Sequence, residues 1–304
     1  MVRYLLAAMF LKFFSISPQT KHLYRNLGNT YGKRIRLRVG LPAYKINRAK
    51  QLLHLCKRYK ALQDGSLILE IGTGWAHWDS MVLRLFYDLR ACLFDVWDNR
   101  QFEAIKLYVK QFNQIVDQEL GLECTQNAHI HTLLESILTT KSFDDLYDLL
   151  GFEYVLDPNG NLDQFGNETF HLIITNGVLE HINRAKLPHL IREFYRLLKP
   201  GGYSIHHIVI ADHLAFYDPT VSKKHYLKYS DKVWKRYFEN DVQHFNRLQR
   251  PEWMHLFNSS GLELVEESLS IADIGQIKTD KQYTKLSKTD LECTVLELIH
   301  RKPL

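Results

Sequence analysis

The segment that decides the fold of this chain is "LILEIGTGWAHW", residues 67–78. A short, mostly apolar run leads directly into Gly72 and Gly74, which is typical of a buried parallel strand that ends in a tight turn. Glycine adopts positive φ at little cost and lets a ligand approach the backbone closely. The helix that follows offers unpaired amide groups at its N-terminus, which can bind a carboxylate or a phosphate. We therefore predict a strand–turn–helix unit that holds a small ligand, although an ordinary turn without a ligand would have the same pattern.

An acidic residue strengthens this prediction. A second apolar run, "ACLFD" (91–95), ends in Asp95, twenty-one residues after Gly74. Because the carboxyl ends of neighbouring parallel strands lie side by side, Asp95 and the glycine turn can converge on one ligand, with the acid on its ribose hydroxyls. Asp98 is a rival for this role. A dinucleotide-binding turn would have a third glycine where this chain has His77, so the pattern does not favour a dinucleotide.

The rest of the chain alternates between strands and helices. Two amphipathic helices are predicted before the third strand, at about 101–120 and 129–150. This alternation predicts a doubly wound α/β fold, with a mostly parallel sheet and helices on both faces. The remaining predicted elements are helices at 42–59, 78–89, 184–198 and 251–261, strands at 152–157, 170–175 and 203–210, a turn at 199–202, and an antiparallel pair at 262–271 and 292–300.

Four segments together resemble the class I S-adenosylmethionine-dependent methyltransferases, in the order expected for that family. They are "LEIGTGWAH" (69–77), "LFDV" (93–96), "FHLIITNGVLEHI" (170–182) and "LLKPGGYSI" (197–205). The resemblance implies a Rossmann-like sheet of seven strands and S-adenosylmethionine (SAM) as the cofactor. It also implies cofactor contacts for Glu70, Gly72 and Gly74 at the methionine end, Asp95 at the ribose, and Asp157, Asn176 and Gly177 near the adenine or the methyl group. The chain departs from the family pattern at Ala76 and His171, and in its long spacing between strands two and three.

Candidate catalytic residues lie at and beyond the end of the fifth strand. His206 and His207 alternate between its two faces, so at least one of them is predicted to be buried. Asp212 and His213 follow at the carboxyl end, where open α/β sheets bind ligands. Methyl transfer to an alcohol needs a base, and histidine serves this purpose near neutral pH. We predict His213 as the base, with Asp212 and His207 beside it. No metal is predicted, although these three residues would also suit one.

A second pair, Glu180 and His181, lies in "LEHI" (179–182), just after the fourth strand. Its position near the mouth of the predicted pocket suits a catalytic role. It suits a structural role equally well, in which the two residues fix the loop and begin the next helix.

The aromatic and basic segment between strands five and six (212–258) is predicted to form a helical cap over the pocket. Its aromatic faces could stack on sugars or planar acceptors, and Asn240, Asn246 and Arg247 could bind hydroxyl or phosphate groups. The same aromatic residues could instead form the core of the cap. The segment also resembles, more loosely, methyltransferases of bacterial surface-polysaccharide clusters. That resemblance implies a small-molecule or glycan acceptor, O-methylation and a role in polysaccharide biosynthesis.

Charge is distributed unevenly along the 304 residues. Residues 1–60 contain fourteen Lys or Arg and no Asp or Glu, although the whole chain carries a net charge of only +5. Such an extension attracts phosphates in lipids, in a pyrophosphate-linked substrate or in nucleic acid, unless it is simply a solvated face. The apolar run in its first residues is too short and too interrupted to span a bilayer or to be a signal peptide. They predict a helix that lies in the membrane plane or docks on the domain, with an apolar stripe of Leu5, Leu6, Met9, Phe10 and Phe13.

These observations predict a basic N-terminal helical extension (1–60) and one methyltransferase domain (61–304), with a helical insertion at 100–150. The scattered cysteines argue against disulfides or structural zinc and fit a reducing compartment: Cys56, Cys92, Cys124 and Cys293. We expect a cytoplasmic enzyme, or one held peripherally at the inner membrane face by the extension.

Two alternatives remain open. The basic extension would suit an RNA or tRNA methyltransferase. Strand four, however, ends in "NGVLEH" rather than in the N/D-P-P-Y/F motif of amino-group methylation on bases. The chain could also be a cofactor-binding fold that has lost catalysis and serves as a partner subunit, which the intact Glu70, glycines and Asp95 disfavour.

Overall fold

The structure, a computed structural model, describes residues 1–120, 124–275 and 277–304, with only the helical backbone at 124–127. The helices are α1 (Val2–Phe14), α2 (Pro18–Val39), α3 (Ala43–Tyr59), α4 (Trp78–Phe86), α5 (Phe102–Leu120), α6 (Cys124–Thr139), α7 (Phe143–Leu150), α8 (Leu187–Leu197), α9 (Asp231–Tyr237), α10 (Arg250–Asn258) and α11 (Lys288–Glu292). The strands are β1 (Leu67–Ile71), β2 (Arg90–Asp95), β3 (Phe152–Leu156), β4 (Phe170–Asn176), β5 (Leu198–Val209), β6 (Glu263–Ile271) and β7 (Cys293–Arg301).

These strands form one seven-stranded sheet in the order β3-β2-β1-β4-β5-β7-β6. β1 and β2 pair in parallel, as do β2 and β3, whereas β6 and β7 are antiparallel. The sheet reverses its chain order at β1 and β4, and ligands bind at such a point in open α/β sheets. The predicted fold class, a Rossmann-like doubly wound and mostly parallel sheet, is confirmed.

Internal contacts divide the chain into two compact units. The glycine-loop unit comprises residues 29–174, 196–204 and 304, and the cap unit comprises residues 1–28, 175–195 and 205–303. Neither unit begins or ends at residue 60. The predicted division into an extension (1–60) and a methyltransferase domain (61–304) therefore stays a prediction.

The glycine-loop unit is built around β1, whose residues Ile68 and Leu69 are fully buried. The extension packs on it through α3, since the indole of Trp78 donates to the Lys45 carbonyl at 2.9 Å. The single helix predicted at 129–150 is two helices, α6 and α7. Ser142 separates them because its hydroxyl accepts from the Asp145 amide at 3.0 Å and so begins α7 with a capping box. The turn predicted at 199–202 lies within β5, which bends at Gly201 with φ of +77°.

The cap unit has an aromatic core. In α1, Tyr4, Ala8, Leu11 and Phe14 are buried. The buried cluster that contains Tyr4, Ala8 and Leu11 also contains aromatic residues of the cap segment, which therefore serve as core rather than as stacking platforms: Tyr226, Trp234, Phe238 and Phe245. The cap is also less helical than predicted, because between β5 and α10 the described residues form one helix, α9, and two 3₁₀ turns.

The predicted apolar stripe of α1 lies on the opposite side of that helix and is exposed. In the described part of the chain, no helix is both long enough and apolar enough to cross a bilayer. Cys56, Cys92 and Cys293 are free and buried, and the side chain of Cys124 lies outside the described residues.

Candidate active site

The glycine turn after β1 has the predicted conformation. Gly72 and Gly74 have φ of +69° and +64°, which favours glycine at both positions. The Gly72 amide donates to the Phe94 carbonyl at 2.8 Å, which ties the turn to β2. A Cβ placed on Gly74 would have the Gly72 carbonyl oxygen, 3.9 Å away, as its nearest neighbour. The space above Gly74 is thus open, so a ligand can approach the backbone there.

Asp95 lies beside this turn, and its rival Asp98 is already paired. Asp95 accepts from the Gly74 amide at 3.0 Å and from the Val96 amide at 2.8 Å. Asp98 instead holds the Arg100 guanidinium through both of its oxygens, at 2.9 and 2.7 Å. Asp95 is therefore the acid that shapes the glycine turn, and burial raises the pKa of its carboxyl group.

Glu70 has a role that the sequence did not predict. Its buried carboxyl group accepts through Oε2 from both the amide and the hydroxyl group of Ser80, with the amide at 3.0 Å, and so holds the first turn of α4. Burial, and then the nearby Asp79, raise the pKa of Glu70 to about 8. Glu70 therefore positions the glycine turn, and its contact with the cofactor stays a prediction.

His77 explains how the chain manages without a third glycine. It adopts the left-handed conformation, with φ of +49°, and begins α4. Its fully buried ring lies between the Thr73 hydroxyl at 2.7 Å and the Tyr147 hydroxyl at 3.0 Å. Burial lowers the pKa of His77 to about 3, so the ring is neutral. Two side-chain hydrogen bonds thus hold the strained position.

The buried polar atoms of the glycine-loop unit that have no hydrogen-bond partner among the described residues include the Tyr154 hydroxyl and the Asn99 amide oxygen. Tyr154 is close enough to Asp95 for that carboxylate to raise its pKa further, after burial. Buried polar groups are normally paired, so unpaired ones need an explanation. A ligand that is rich in hydroxyl and amine groups would supply it, and SAM carries both.

The remaining predicted cofactor residues follow β3 and β4. Asp157 is half-buried, and its Oδ1 accepts from the Asn159 amide at 2.7 Å, which stabilises a turn. Asn176 is exposed at the end of β4. Gly177 has φ of +67°, and its amide donates to the His207 carbonyl at 2.9 Å. Contacts of these three with the cofactor stay predictions.

In the cap unit, the structure brings together Glu180, His181 and His213. One oxygen or nitrogen atom from each lies within 4.8 Å of the others. The two imidazole rings meet edge to face, with centroids 4.9 Å apart. Sequence reasoning singled out all three residues but did not connect them, since "LEHI" and "DH" are separated by thirty residues.

Main-chain carbonyls fix the tautomers of both histidines. Nδ1 of His181 is 2.7 Å from the His244 carbonyl, and Nδ1 of His213 is 3.0 Å from the Ala211 carbonyl. A carbonyl only accepts hydrogen bonds, so each Nδ1 must donate and each Nε2 keeps a lone pair. Desolvation of its ring by neighbouring groups lowers the pKa of His181, although the residue as a whole is exposed, and burial lowers the pKa of His213 to about 4. Both rings are therefore neutral at pH 7.

Residues 44–267, which are most of the chain, match the family model described as "Methyltransferase domain". The chain belongs to the class I SAM-dependent methyltransferases. None of the curated proteins matches this sequence.

Solved structures of methyltransferases are similar to it at low identity. One is phosphoethanolamine N-methyltransferase 2 of Haemonchus contortus in complex with SAM, with 14% identity over 84% of this chain and 52% of that chain, and a TM-score of 0.46. Another is a SAM-dependent methyltransferase of Methanosarcina mazei, with 18% identity over 81% of this chain and 96% of that chain, and a TM-score of 0.44. The third is 1,6-didemethyltoxoflavin-N1-methyltransferase of Burkholderia thailandensis, with 14% identity over 86% of this chain and 79% of that chain, and a TM-score of 0.44. The chain spans about half the length of the Haemonchus enzyme.

In this methyltransferase, Asp212 does not accompany His213 as predicted. It is fully buried, and its carboxylate accepts from the Tyr4 hydroxyl and from the Leu214 amide, each at 2.9 Å. Burial raises its pKa to about 6. Asp212 therefore anchors α1, because both of its oxygens are engaged away from the imidazole.

The other predicted polar residues of the methyltransferase also have structural contacts. His207 is half-buried in β5, and His206 is fully buried and stacks on Phe194 at 4.9 Å. The Asn246 amide donates to the Leu179 and Ile182 carbonyls at 2.8 and 3.1 Å, so it holds the "LEHI" turn rather than an acceptor. Arg247 pairs with Asp231, and Asn240 donates to the Phe238 carbonyl. The metal site suggested for His207, Asp212 and His213 is not formed, since the cluster among the described residues uses Glu180 and His181 with His213.

Proposed function

We propose that this enzyme binds SAM at the glycine turn and transfers its methyl group to a hydroxyl oxygen of a small-molecule or glycan acceptor. The observation that carries the proposal is the pair of neutral imidazoles, His181 and His213, each with its Nε2 lone pair left available by a fixed tautomer. They follow β4 and β5, at the end of the sheet where open α/β folds bind their ligands.

The residues of the glycine-loop unit suit the cofactor. The open space above Gly74 leaves room for a close backbone contact, and Asp95 and Tyr154 offer polar atoms for ribose hydroxyls. When bound, SAM supplies an electrophilic methyl group on a sulfonium. The residues of this chain hold it in place, and alignment of the reacting atoms supplies much of the rate.

The acceptor hydroxyl is bound by the imidazoles of the cap unit. His213 Nε2 accepts its proton as the oxygen lone pair forms the new O–C bond. The bound cofactor would supply the methyl group and would keep the C–S electron pair on its sulfur, so that atoms and charges balance. Because His181 lies against His213, with ring centroids 4.9 Å apart, it helps to hold the hydroxyl in the required direction. A positioned base of this kind contributes roughly 10²- to 10⁴-fold.

The positive charge of the basic extension (1–60) is weaker support for an RNA or tRNA substrate in the structure than in the sequence. Several of its cations already have acidic partners within the protein: Lys21 with Asp241, Arg48 with Asp79, and Lys50 with Glu119. Arg36 lies over the Trp75 ring at 4.5 Å. Part of the extension's charge is therefore used to attach it rather than to attract phosphates.

A methyl-transfer assay with labelled SAM tests the proposal. Hydroxyl-bearing saccharides, other small alcohols and RNA are offered separately as acceptors. We expect methylation of a saccharide or small alcohol, with the label stable as an ether, and a loss of at least about 10²-fold in His213→Gln with SAM binding retained. His189→Gln, at an exposed position on α8, is the matched control. Label found only in RNA, or full activity in His213→Gln, would refute the proposal.

A further inference from the structure

The cluster of Glu180, His181 and His213 consists of three side chains that commonly bind metal ions. It joins one carboxylate and two imidazoles, with one oxygen or nitrogen atom of each within 4.8 Å of the others. Glu180 is fully buried, whereas His181 is exposed and His213 is partly exposed. The cluster is therefore open to solvent on one side and closed by the carboxylate on the other.

Only one of the two oxygens of the Glu180 carboxyl group accepts a hydrogen bond in the described parts of the chain. Its Oε1 accepts from the Val209 amide at 3.1 Å. Its Oε2 is buried and has no hydrogen-bond partner anywhere in the described parts of the chain. A buried carboxyl oxygen without a hydrogen-bond partner is costly, and proteins normally pair such groups or give them to a metal ion.

The two histidines are arranged as metal ligands usually are. A metal-binding histidine donates its other ring N–H to a carbonyl or carboxylate, which fixes the tautomer and the orientation of the ring. His181 does this with the His244 carbonyl, and His213 with the Ala211 carbonyl. The turn that carries Glu180 and His181 is itself held by Asn246.

We propose that Glu180, His181 and His213 bind a divalent transition-metal ion. Two imidazole nitrogens and one carboxylate oxygen favour Zn²⁺, Fe²⁺ or related ions over Mg²⁺ and Ca²⁺, which prefer oxygen ligands. Three protein ligands leave a coordination position open, as in catalytic rather than structural zinc sites.

The role of the ion rests on the proposed function, because the open position would take the acceptor oxygen. In the metal-loaded enzyme His213 is a ligand, so the hydroxyl proton leaves to water instead. The ion stabilises the resulting oxyanion as a Lewis acid. The oxygen lone pair then forms the O–C bond while the C–S electron pair passes to sulfur, and the ion itself is unchanged.

Binding is tested by titrating the metal-stripped full chain with Zn²⁺ in a calorimeter. We expect one ion per chain for the wild type and for His189→Gln, and at least tenfold weaker binding in His181→Gln. Because His181 is exposed, its substitution should leave the fold intact. Glu180→Gln keeps an oxygen that can accept from the Val209 amide but removes the acidic group that would bind the ion. It should therefore weaken Zn²⁺ binding while the hydrogen bond to Val209 is retained. Absence of stoichiometric binding, or equal affinity in His181→Gln and His189→Gln, would overturn the site.

Co²⁺ provides a spectroscopic readout of the same site. We expect visible absorption bands of imidazole-bound Co²⁺ in the wild type that are lost in His181→Gln. SAM binding, measured on the same metal-stripped sample, separates the two proposals. A chain that binds SAM and methylates an alcohol equally well with and without metal would overturn the metal's role while leaving the O-methyltransferase standing. A chain that binds the ion but methylates no hydroxyl would overturn the proposed function alone.

An independent observation concerns α1. Its buried side packs in the cap unit, but its other side exposes a run of large apolar side chains: Val2, Leu5, Leu6, Met9, Phe10, Phe13 and, just beyond the helix, Ile16. Leu6, Met9 and Phe10 are 59%, 68% and 56% exposed. A contiguous exposed apolar strip of this kind marks an interaction surface.

We propose that this strip lies on an anionic membrane surface. Charge complementarity selects this occupant, because residues 1–60 contain fourteen basic and no acidic residues and keep a net positive charge after the ion pairs with Asp241, Asp79 and Glu119. Helices that combine apolar side chains with nearby Lys or Arg insert into the headgroup region in the plane of the bilayer. The contacts of Tyr4 with Asp212 and of Lys12 with the Lys235 carbonyl hold the helix so that its apolar side stays outward.

Vesicle flotation of the full chain tests this surface. We expect binding to vesicles that contain phosphatidylglycerol and much weaker binding to pure phosphatidylcholine. The double variant Leu6→Ser/Met9→Ser should lose at least tenfold in binding, whereas Ile271→Ser, at a 61% exposed position on β6, should not. Binding that is equal in all variants would overturn the proposal. So would a wild type that ignores vesicles but forms dimers which the double variant dissociates.

Discussion

The carboxylate of Asp95 offers the sharpest test of the cofactor site. A carboxylate has about four acceptor positions. The amides of Gly74, Val96 and Trp97 occupy three of them, so one remains for a ribose hydroxyl. In Asp95→Asn only the amide oxygen can accept, so both the ribose contact and one backbone contact are lost. A hydrogen bond to a charged group contributes about 1.5–3 kcal/mol, which corresponds to roughly 10- to 100-fold weaker SAM binding.

Isothermal titration with SAM measures this change, and Asp98→Asn is the matched control. Asp98 lies three residues further along the same loop, but its oxygens are engaged by Arg100. We expect Asp98→Asn to bind SAM within about threefold of the wild type. If Asp95→Asn bound SAM as tightly as the wild type, or if Asp98→Asn lost as much affinity, the assignment of the ribose contact to Asp95 would be refuted.

Three further predictions follow from particular contacts. Gly74→Ala should lower the free energy of unfolding by about 1–2 kcal/mol, because the φ of Gly74 is +64°, and should also weaken SAM binding. Gly65 has a φ of +80° and open space around it, so Gly65→Ala should lower the free energy of unfolding by a similar amount but leave the SAM affinity unchanged. Tyr4→Phe should lower the free energy of unfolding by about 2 kcal/mol in urea titrations, because the buried Asp212 loses a donor, whereas Tyr31→Phe, at an exposed position, should change it little. Burial lowers the pKa of Lys224 from 10.5 to about 7, so between these pH values the amine is protonated in the unfolded chain but not in the folded one, and the free energy of unfolding should rise with pH. Lys224→Met should remove the contribution of this amine to the slope of unfolding free energy against pH between about pH 7 and 9. An unchanged slope would contradict the prediction.

Local sequence patterns predicted β1, β2 and β4 well, because each of these strands is a mostly apolar run that ends at or just before a glycine or an acid. β1, β2 and β4 lie within one or two residues of their predicted bounds. The predictions failed where a single side chain decides a boundary. Ser142 splits the helix predicted at 129–150, and its capping box with Asp145 was present in the sequence as S-x-x-D.

The roles of individual polar residues were harder to predict than their positions. Glu70 and Asp212 both stand at the ends of strands, where ligands bind, yet their oxygens hold Ser80 and Tyr4 instead. The partner of Asp212 lies more than two hundred residues away, so no local pattern could reveal it. The apolar stripe of α1 was visible in the sequence, but which of its two sides faces the protein was not.

The sequence by itself determined the order of the strands and helices, the glycine turn and the acid beside it, because these depend on hydrophobic periodicity and on the backbone freedom of glycine over a few residues. Only the tertiary structure decided that Glu180 and His181 meet His213, and that Asp212 turns away to anchor α1. These contacts depend on burial and on hydrogen bonds between distant segments, whose energies exist only after the chain has brought the partners together.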